Sequence, residues 1–380
     1  CGTLFPYTTL FRSTETSITD ADYFTQADPW YWDGSTYIYI HGGNNAVIRK
    51  AVTGYDPATH SIQFESMGTS FYSTYAMVNS LKILDVPGEF VVREDQTDGH
   101  GRPRVYLMPL ADGVAGREFS VTHEEAAFNF GAASYVTLRG FQDRKTGAGD
   151  AGVTNASNAG CTGLTVQDNV IVHHAGSGIG MDDLIDSLVV GNKVKFNKGR
   201  GIILTEAVNS SIRENVVRKN GGTAIDYYWS HYSDIVGNTV LDHRGRHANG
   251  ITVYLDSSNI RIVGNRVQGG RIACTVQAST DLTVAYNVFD GNGSNYALAD
   301  WGGMDGLYIY NNYVLNGGTA ISASSSDIVS KNNIMSGSPV LYRGGVSENN
   351  IYTSLSWTQD PDDLGAGEFQ ATPGELFVDH

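Results

Sequence analysis

The 380-residue chain reads as an all-β protein dominated by a parallel β-solenoid. Three observations predict this. An asparagine phrase returns about every 23 residues through the middle of the chain. Short runs between the returns alternate apolar and polar residues, the period of a strand. No window of about eleven residues carries a helical apolar stripe. A repeat made only of short strands cannot bury its apolar face alone, so neighbouring repeats must stack to form a core. Leucine-rich repeats share the length, but their leucine spacing and helical half are absent.

The asparagine phrase, Asn-x-(Val/Ile/Phe), falls at Asn169, Asn192, Asn215, Asn238, Asn265, Asn287, Asn312, Asn332 and Asn349. A second phrase, a small residue followed by an aliphatic one, keeps the same period. It gives Gly178-Ile179, Gly201-Ile202, Ala224-Ile225, Gly250-Ile251, Ala297-Leu298 and Ala320-Ile321, with Arg271-Ile272 as the variant. Runs such as Leu188-Val189-Val190, Ile260-Arg261-Ile262 and Leu282-Thr283-Val284 are the strands between them. Each repeat is therefore two or three short strands joined by Gly/Asn/Ser/Asp turns. Coils of this kind stack at about 4.8 Å, so each asparagine sits above the next and bonds along the axis. The visible solenoid is then roughly 40 Å long.

Composition agrees. Hydrophobic residues are 41% of the chain, ample for a core, while charged residues are 17% against a typical ~25%. Glycine is high at 45 residues and proline low at 9, a mix that disfavours helical bundles and disordered tails. The net charge of −15 is spread along the chain, and no basic stripe is visible in the sequence, so nucleic acid and anionic membranes are not expected partners. No apolar run approaches the ~20 residues of a membrane span. Cys1, Cys161 and Cys274 have no metal or redox spacing; the last two read as buried, inert thiols.

Four segments follow from these patterns. Residues 1–13 stand apart, because Thr3 to Ser13 resembles the conceptual translation of a sequencing adapter. That resemblance implies a metagenomic fragment whose true start, signal peptide included, is missing. Residues 14–131 form a β-rich cap with irregular opening coils, with strands expected at 36–40, 61–64 and 104–107. Residues 132–354 form the regular coils. Residues 355–380 form a tail expected to be truncated. The repeat over Ser134–Ser354 resembles the right-handed parallel β-helix (pectate-lyase-like) superfamily of polysaccharide-active proteins. The resemblance implies a right-handed helix, a hand also favoured for parallel crossovers in general. It implies a glycan as partner and a secreted or periplasmic location. The "NTD" and "GHG" phrases of polygalacturonases are absent, so no single activity is implied.

Candidate chemistry sits on the outward positions after the small–aliphatic phrase. If Ile179 points in, Gly180 and Asp182 point out. The equivalent positions in later repeats hold Ile203 and Thr205, Asp226 and Tyr228, Thr252 and Tyr254, and Ala299 and Trp301. The carboxylates Asp182, Asp183, Glu206 and Asp226, with His247, are the candidate catalytic groups. Tyr228, Trp229, His231, Arg246, Tyr254, Asp300 and Trp301 are the candidate substrate-binding groups. Asp226 stands out, because aspartate is disfavoured within a strand. The repeat from Ile225 to Ile251 is longer than its neighbours and carries Asp242-His243-Arg244-Gly245-Arg246-His247, a polar insertion on a rigid scaffold. His173-His174 reads as a solvated turn.

Two chemistries fit this set. A glycoside hydrolase needs an acid and a base or nucleophile, and carboxylates two coils apart favour the inverting geometry. A polysaccharide lyase needs a base and a group to neutralise a uronate, roles open to Tyr228, Arg246, His247 and Arg271, with Ca²⁺ held by Asp182 and Asp183. The hydrolase leads and requires no cofactor. A non-catalytic carbohydrate-binding solenoid is the third reading.

Overall fold

The computed structural model describes residues 12–32, 35–42, 46–68, 72–87, 89–97, 101, 103–108, 126–144, 146, 151–243, 245, 248–291, 296–316, 319–322, 324–325, 327–336, 345–353, 366–367 and 369–370. The chain divides into two compact units, Cys1–Ser120 and Val121–His380.

The first unit is built on a six-stranded sheet of Arg12–Ser13, Ser17–Thr19, Tyr37–Gly42, Ala46–Asp56, Ser61–Phe64 and Tyr72–Val78. Its pairings are antiparallel. Alternation sends Ile38 and Ile40, and Ile62 and Phe64, to one face, where they pack with Ile18, Phe24, Trp32 and Tyr55. The Tyr55 hydroxyl donates to the carbonyls of Phe24 and Gln26 at 3.0 and 2.7 Å. Arg12 and Ser13, assigned to the foreign leader on sequence, pair with Thr19 and Ile18. A further antiparallel pair joins Phe90–Thr97 to Pro103–Leu107.

The second unit is the solenoid. Three parallel sheets run along it, of ten, eleven and nine strands. Each regular coil visits them in turn, as in Ser211–Arg213 (first sheet), Val216–Arg218 (second) and Ile225–Tyr228 (third). The registers stack like on like. Val166, Val189, Ile212, Ile235 and Ile262 line the inside of the first sheet. Ile171, Val194, Val217, Val240, Val267 and Phe289 line the second. Ile179, Ile202, Ile225 and Ile251 line the third. Each such side chain, fully buried, contributes about 1.5–3 kcal/mol of transfer free energy.

The two sequence phrases have distinct physical causes. A Cβ on Gly201 would lie 2.4 Å from both the Ala224 carbonyl and the Val217 side chain, and one on Gly250 would lie 2.3 Å from the Ala273 carbonyl. The residue before the aliphatic anchor faces inward against the second sheet, which leaves room for glycine or alanine only. One assignment changes: Cys274, not Ile272, pairs with Ile251, so Ala273-Cys274 replaces Arg271-Ile272 in that coil.

The asparagines form a ladder in the turn between the first and second sheets. The Oδ1 of Asn192 accepts from both the backbone N–H and Nδ2 of Asn169 at 3.0 Å. The same arrangement continues through Asn215, Asn238, Asn265, Asn287 and Asn312. It ends on Asn333 and Asn350, one residue beyond the expected Asn332 and Asn349. The pleat explains the shift. The inward residue stands two positions after the ladder asparagine, and in these coils that residue is Met335 and Tyr352.

Two shorter ladders were not anticipated. Ser187, Ser210 and Ser233 accept backbone N–H groups coil to coil. His174, Asn197 and Asn220 do the same between the second and third sheets, so His174 is fully buried rather than solvated. Cys161 and Cys274 are free and buried, as expected. Among the described residues no helix is long and apolar enough to cross a membrane.

Substituting Asn215→Ala removes the acceptor for two Asn192 donors and takes one donor from the Val189 carbonyl. A loss of about 3 kcal/mol is expected from these buried orphans. Urea unfolding should show it as a lower midpoint at unchanged slope.

Candidate active site

The outer surface of the third sheet carries two outward residues per strand. One row holds Gly180, Ile203, Asp226, Thr252 and Thr275; the other holds Asp182, Thr205, Tyr228, Tyr254 and Gln277. The second row is half-buried, as an outward row should be. The first is not. Asp226, Thr252 and Thr275 are buried although they face away from the core.

Asp226 is the centre of this covered patch. Arg200, from the turn preceding Ile202–Thr205, brings its Nε to 2.9 Å from an Asp226 oxygen. The carboxylate is fully buried while the Arg200 side chain remains 44% exposed, so the arginine lies over the acid like a cover. The guanidinium also lies 5.6 Å from the centre of the Tyr228 ring. Arg200 and Thr223 both favour the charged form of Asp226, while complete burial opposes it more strongly. Burial therefore dominates and pushes its pKa up to about 7. Tyr228 stands 6.0 Å from both Trp229 and Tyr254, giving a three-ring wall. Burial raises Tyr228 above its ordinary value and Tyr254 to about 12. Thr275 ties the row together, bonding Thr252 at 2.9 Å and accepting from Asn249 at 3.3 Å.

The other candidates scatter. Asp182 shares the outer face but sits two coils away and two residues further along the strand, roughly 12 Å from Asp226 between backbones. Its carboxylate accepts from the Thr205 hydroxyl and the Asn158 amide. Asp183 turns into the following corner and accepts the Gly160 amide at 2.6 Å. Glu206 is exposed at that same corner with φ 52°. Trp229 follows Tyr228 at the edge and is half-exposed. His231 lies beyond the edge and bonds Ser258 at 2.8 Å. Trp301 is half-exposed three coils from Tyr228, packed edge-on to Tyr296. Asp300 does not face outward: it pairs with the inward Val276, and its carboxylate accepts the amides of Gly302, Ser324 and Ser325. Arg246 and His247 lie outside the described residues. Among the described residues no group of three or more His, Cys, Asp or Glu gathers to hold a metal ion.

Arg200, Thr223, Asn249 and Thr275 escaped the sequence reading. The first three each stand two residues before an inward isoleucine, so the repeat itself carried the signal. Asp143 and His174 were missed as well. Asp143 takes the inward position that Ile171 and Val194 hold in later coils, and its carboxylate lies 3.3 Å from His174 Nε2. Burial raises Asp143 to about 6 and lowers His174 to about 4. The Thr146 backbone N–H donates to Nδ1, which places the ring proton on Nε2, toward Asp143.

Residues 151–314 match the family described as the right handed beta helix region. No curated protein sequence matches the chain. Among solved structures, the Azotobacter vinelandii mannuronan C-5 epimerase AlgE6 A-module is similar at 16% identity and a TM-score of 0.52, over 63% of this chain and 76% of that one. A structure titled glycoside hydrolase is similar at 9% identity and a TM-score of 0.48, over 95% of this chain and 72% of that one. The family match and the likeness to the epimerase module establish the right-handed parallel β-helix fold.

The raised pKa of Asp226 ties stability to pH. A carboxyl at about 7 in the folded state and near 4 unfolded holds its proton only when folded across that window. Its contribution is fully present below about pH 4 and is lost as pH rises to about 7. Asp143 adds a parallel loss ending near pH 6. The stability of Asp226→Asn relative to the parent should therefore rise between pH 5 and pH 8, measured by urea unfolding at both.

Proposed function

From a right-handed β-helix with a buried acid on the outside of one sheet, we propose a polysaccharide-active enzyme of the glycoside hydrolase type. The glycan lies across the third sheet. Asp226 is the general acid, and its elevated pKa beneath Arg200 is the observation that carries the reading. At neutral pH such a carboxyl retains a proton to give, as the acid of a glycosidase must. Tyr228, Trp229 and Tyr254 supply ring faces for sugar C–H surfaces. Asp182 is the general base on the same sheet. Its carboxylate bonds Thr205 in the intervening coil, and a water held between the two carboxyls would make the inverting arrangement. Asp226 protonates the leaving oxygen while Asp182 takes a proton from the attacking water. Arg200 must swing aside for this, which its exposure permits. A glycan too large to enter a cell places the protein outside the cytoplasm.

The same patch favours one other reading. Arg200 beside Tyr228 has the elements to neutralise and deprotonate a uronate, which is lyase chemistry. The raised pKa of Tyr228 weighs against it, because a tyrosine base needs the opposite shift.

Digestion of a glycan panel separates these readings. New reducing ends without ultraviolet absorbance from an unsaturated product are expected. Both signals together would establish the lyase, and binding without either would establish a carbohydrate-binding solenoid. Against the accepted glycan, Asp226→Asn should lower kcat by 10²-fold or more. The kcat of the parent should fall as pH rises past about 7, where Asp226 loses its proton.

A further inference from the structure

The second sheet faces away from the Asp226 patch in its chemistry as well as its position in the coil. Its outward positions, taken coil by coil, are Gln142 and Arg144, Val170 and Val172, Lys193 and Lys195, Val216 and Arg218, Thr239 and Leu241, and Arg266 and Gln268. Five of these twelve are cations and none is an acid; the next coil places Val288 and Asp290 in the same two columns. Lys198 and Lys219 stand in the turn that follows this sheet, with Asp242 at the position of Lys219 one coil on. Seven of the chain's 25 Lys and Arg thus gather on one strip of a protein whose net charge is −15. Within the strip Arg218 is engaged by Asp242 at 2.9 Å. Lys193, Lys198 and Lys219 are exposed. Lys195 lies with its Nζ 5.9 Å from the centre of the Phe196 ring. Phe196 is itself 43% exposed and stacks on His173 at 5.4 Å with the rings 7° apart.

We propose that this strip is a second glycan-binding surface, for an extended anionic polysaccharide lying along the solenoid axis. Lys195 and Arg218 are adjacent in register, so these two cations stand one coil spacing, about 4.8 Å, apart. That spacing is close to the rise of one ring in an extended glycan, so two neighbouring acidic sugars meet these two coils. The stacked His173 and Phe196 rings offer a flat apolar face for a pyranose. The strands here are three residues long, which makes the strip narrow. A thin strand can follow it without meeting the acid-rich remainder, whereas a duplex or a lipid surface would overlap that remainder and be repelled. The strip shares no residue with the Asp226 patch, so the two surfaces stand or fall separately.

The test is affinity electrophoresis of the full chain in gels containing polygalacturonate, at low and at moderate salt. Retardation at low salt is expected, weakened by salt because the contacts are exposed ion pairs. The triple variant Lys193→Gln, Lys195→Gln, Lys219→Gln should weaken binding at least tenfold with an unchanged circular dichroism spectrum and urea midpoint. Arg261→Gln, which removes a cation on the first sheet, should bind as the parent does. Absence of retardation at low salt, or a triple variant that binds like the parent, would overturn the proposal. So would binding to single-stranded DNA or anionic vesicles as tight as that to polygalacturonate.

Discussion

The in-register asparagine ladder is the constraint on which the rest of the solenoid depends. Each Oδ1 takes two donors from the coil before it, and each Nδ2 donates onward, so a coil can neither slip nor rotate without orphaning buried polar groups. A one-residue slip would also turn every inward valine and isoleucine to solvent. The polar ladder and the aliphatic rows enforce the same register. The glycines before the third-sheet strands follow from it, since register brings Gly201 against Val217 and Gly250 against Val267.

Fixed register converts a linear sequence into columns. Residues about 23 apart become neighbours at the strand spacing, and outward columns become surfaces. The outer face of the third sheet shows what a column can do electrostatically. Asp226 has Ile203 on one side and Thr252 on the other, and Arg200 reaches over it. An aspartate on an outward strand position would ordinarily keep a low pKa in water. Here complete burial between neighbouring coils raises it and outweighs Arg200, which favours the charged form. The outer face of the second sheet shows the opposite outcome: lysines and arginines in adjacent coils stay exposed and make a positive strip on an acidic chain.

The same rule limits where chemistry can be found. Asp300 and Asp226 look alike in the sequence, each followed by an aromatic residue, yet parity sends Asp300 inward to three backbone amides and Asp226 outward. Asp182 and Asp183 are adjacent, yet one lies on the outer row and the other in the corner. His174 and His173 divide similarly, one fully buried against Asp143 and one stacked on Phe196. In each pair the pleat or a positive-φ turn decides, and composition carries no trace of it.

The sequence by itself determined the fold class, the repeat length, the ladder through seven of its nine asparagines, and the outward position of Asp226, Tyr228 and Tyr254. These are local consequences of periodicity, because a side chain's face follows from its distance to the nearest anchor. It placed the last two ladder residues one position early, since Asn332-Asn333 and Asn349-Asn350 offer two registers and only the inward Met335 and Tyr352 select between them. Tertiary structure alone decided that Asp226 is buried, that Arg200 covers it, that Asp143 stands among valines, and that scattered lysines form a strip. Each of these depends on side chains meeting across coils, and the distance from one coil to the next is fixed only when the hydrogen bonds of the stack have formed.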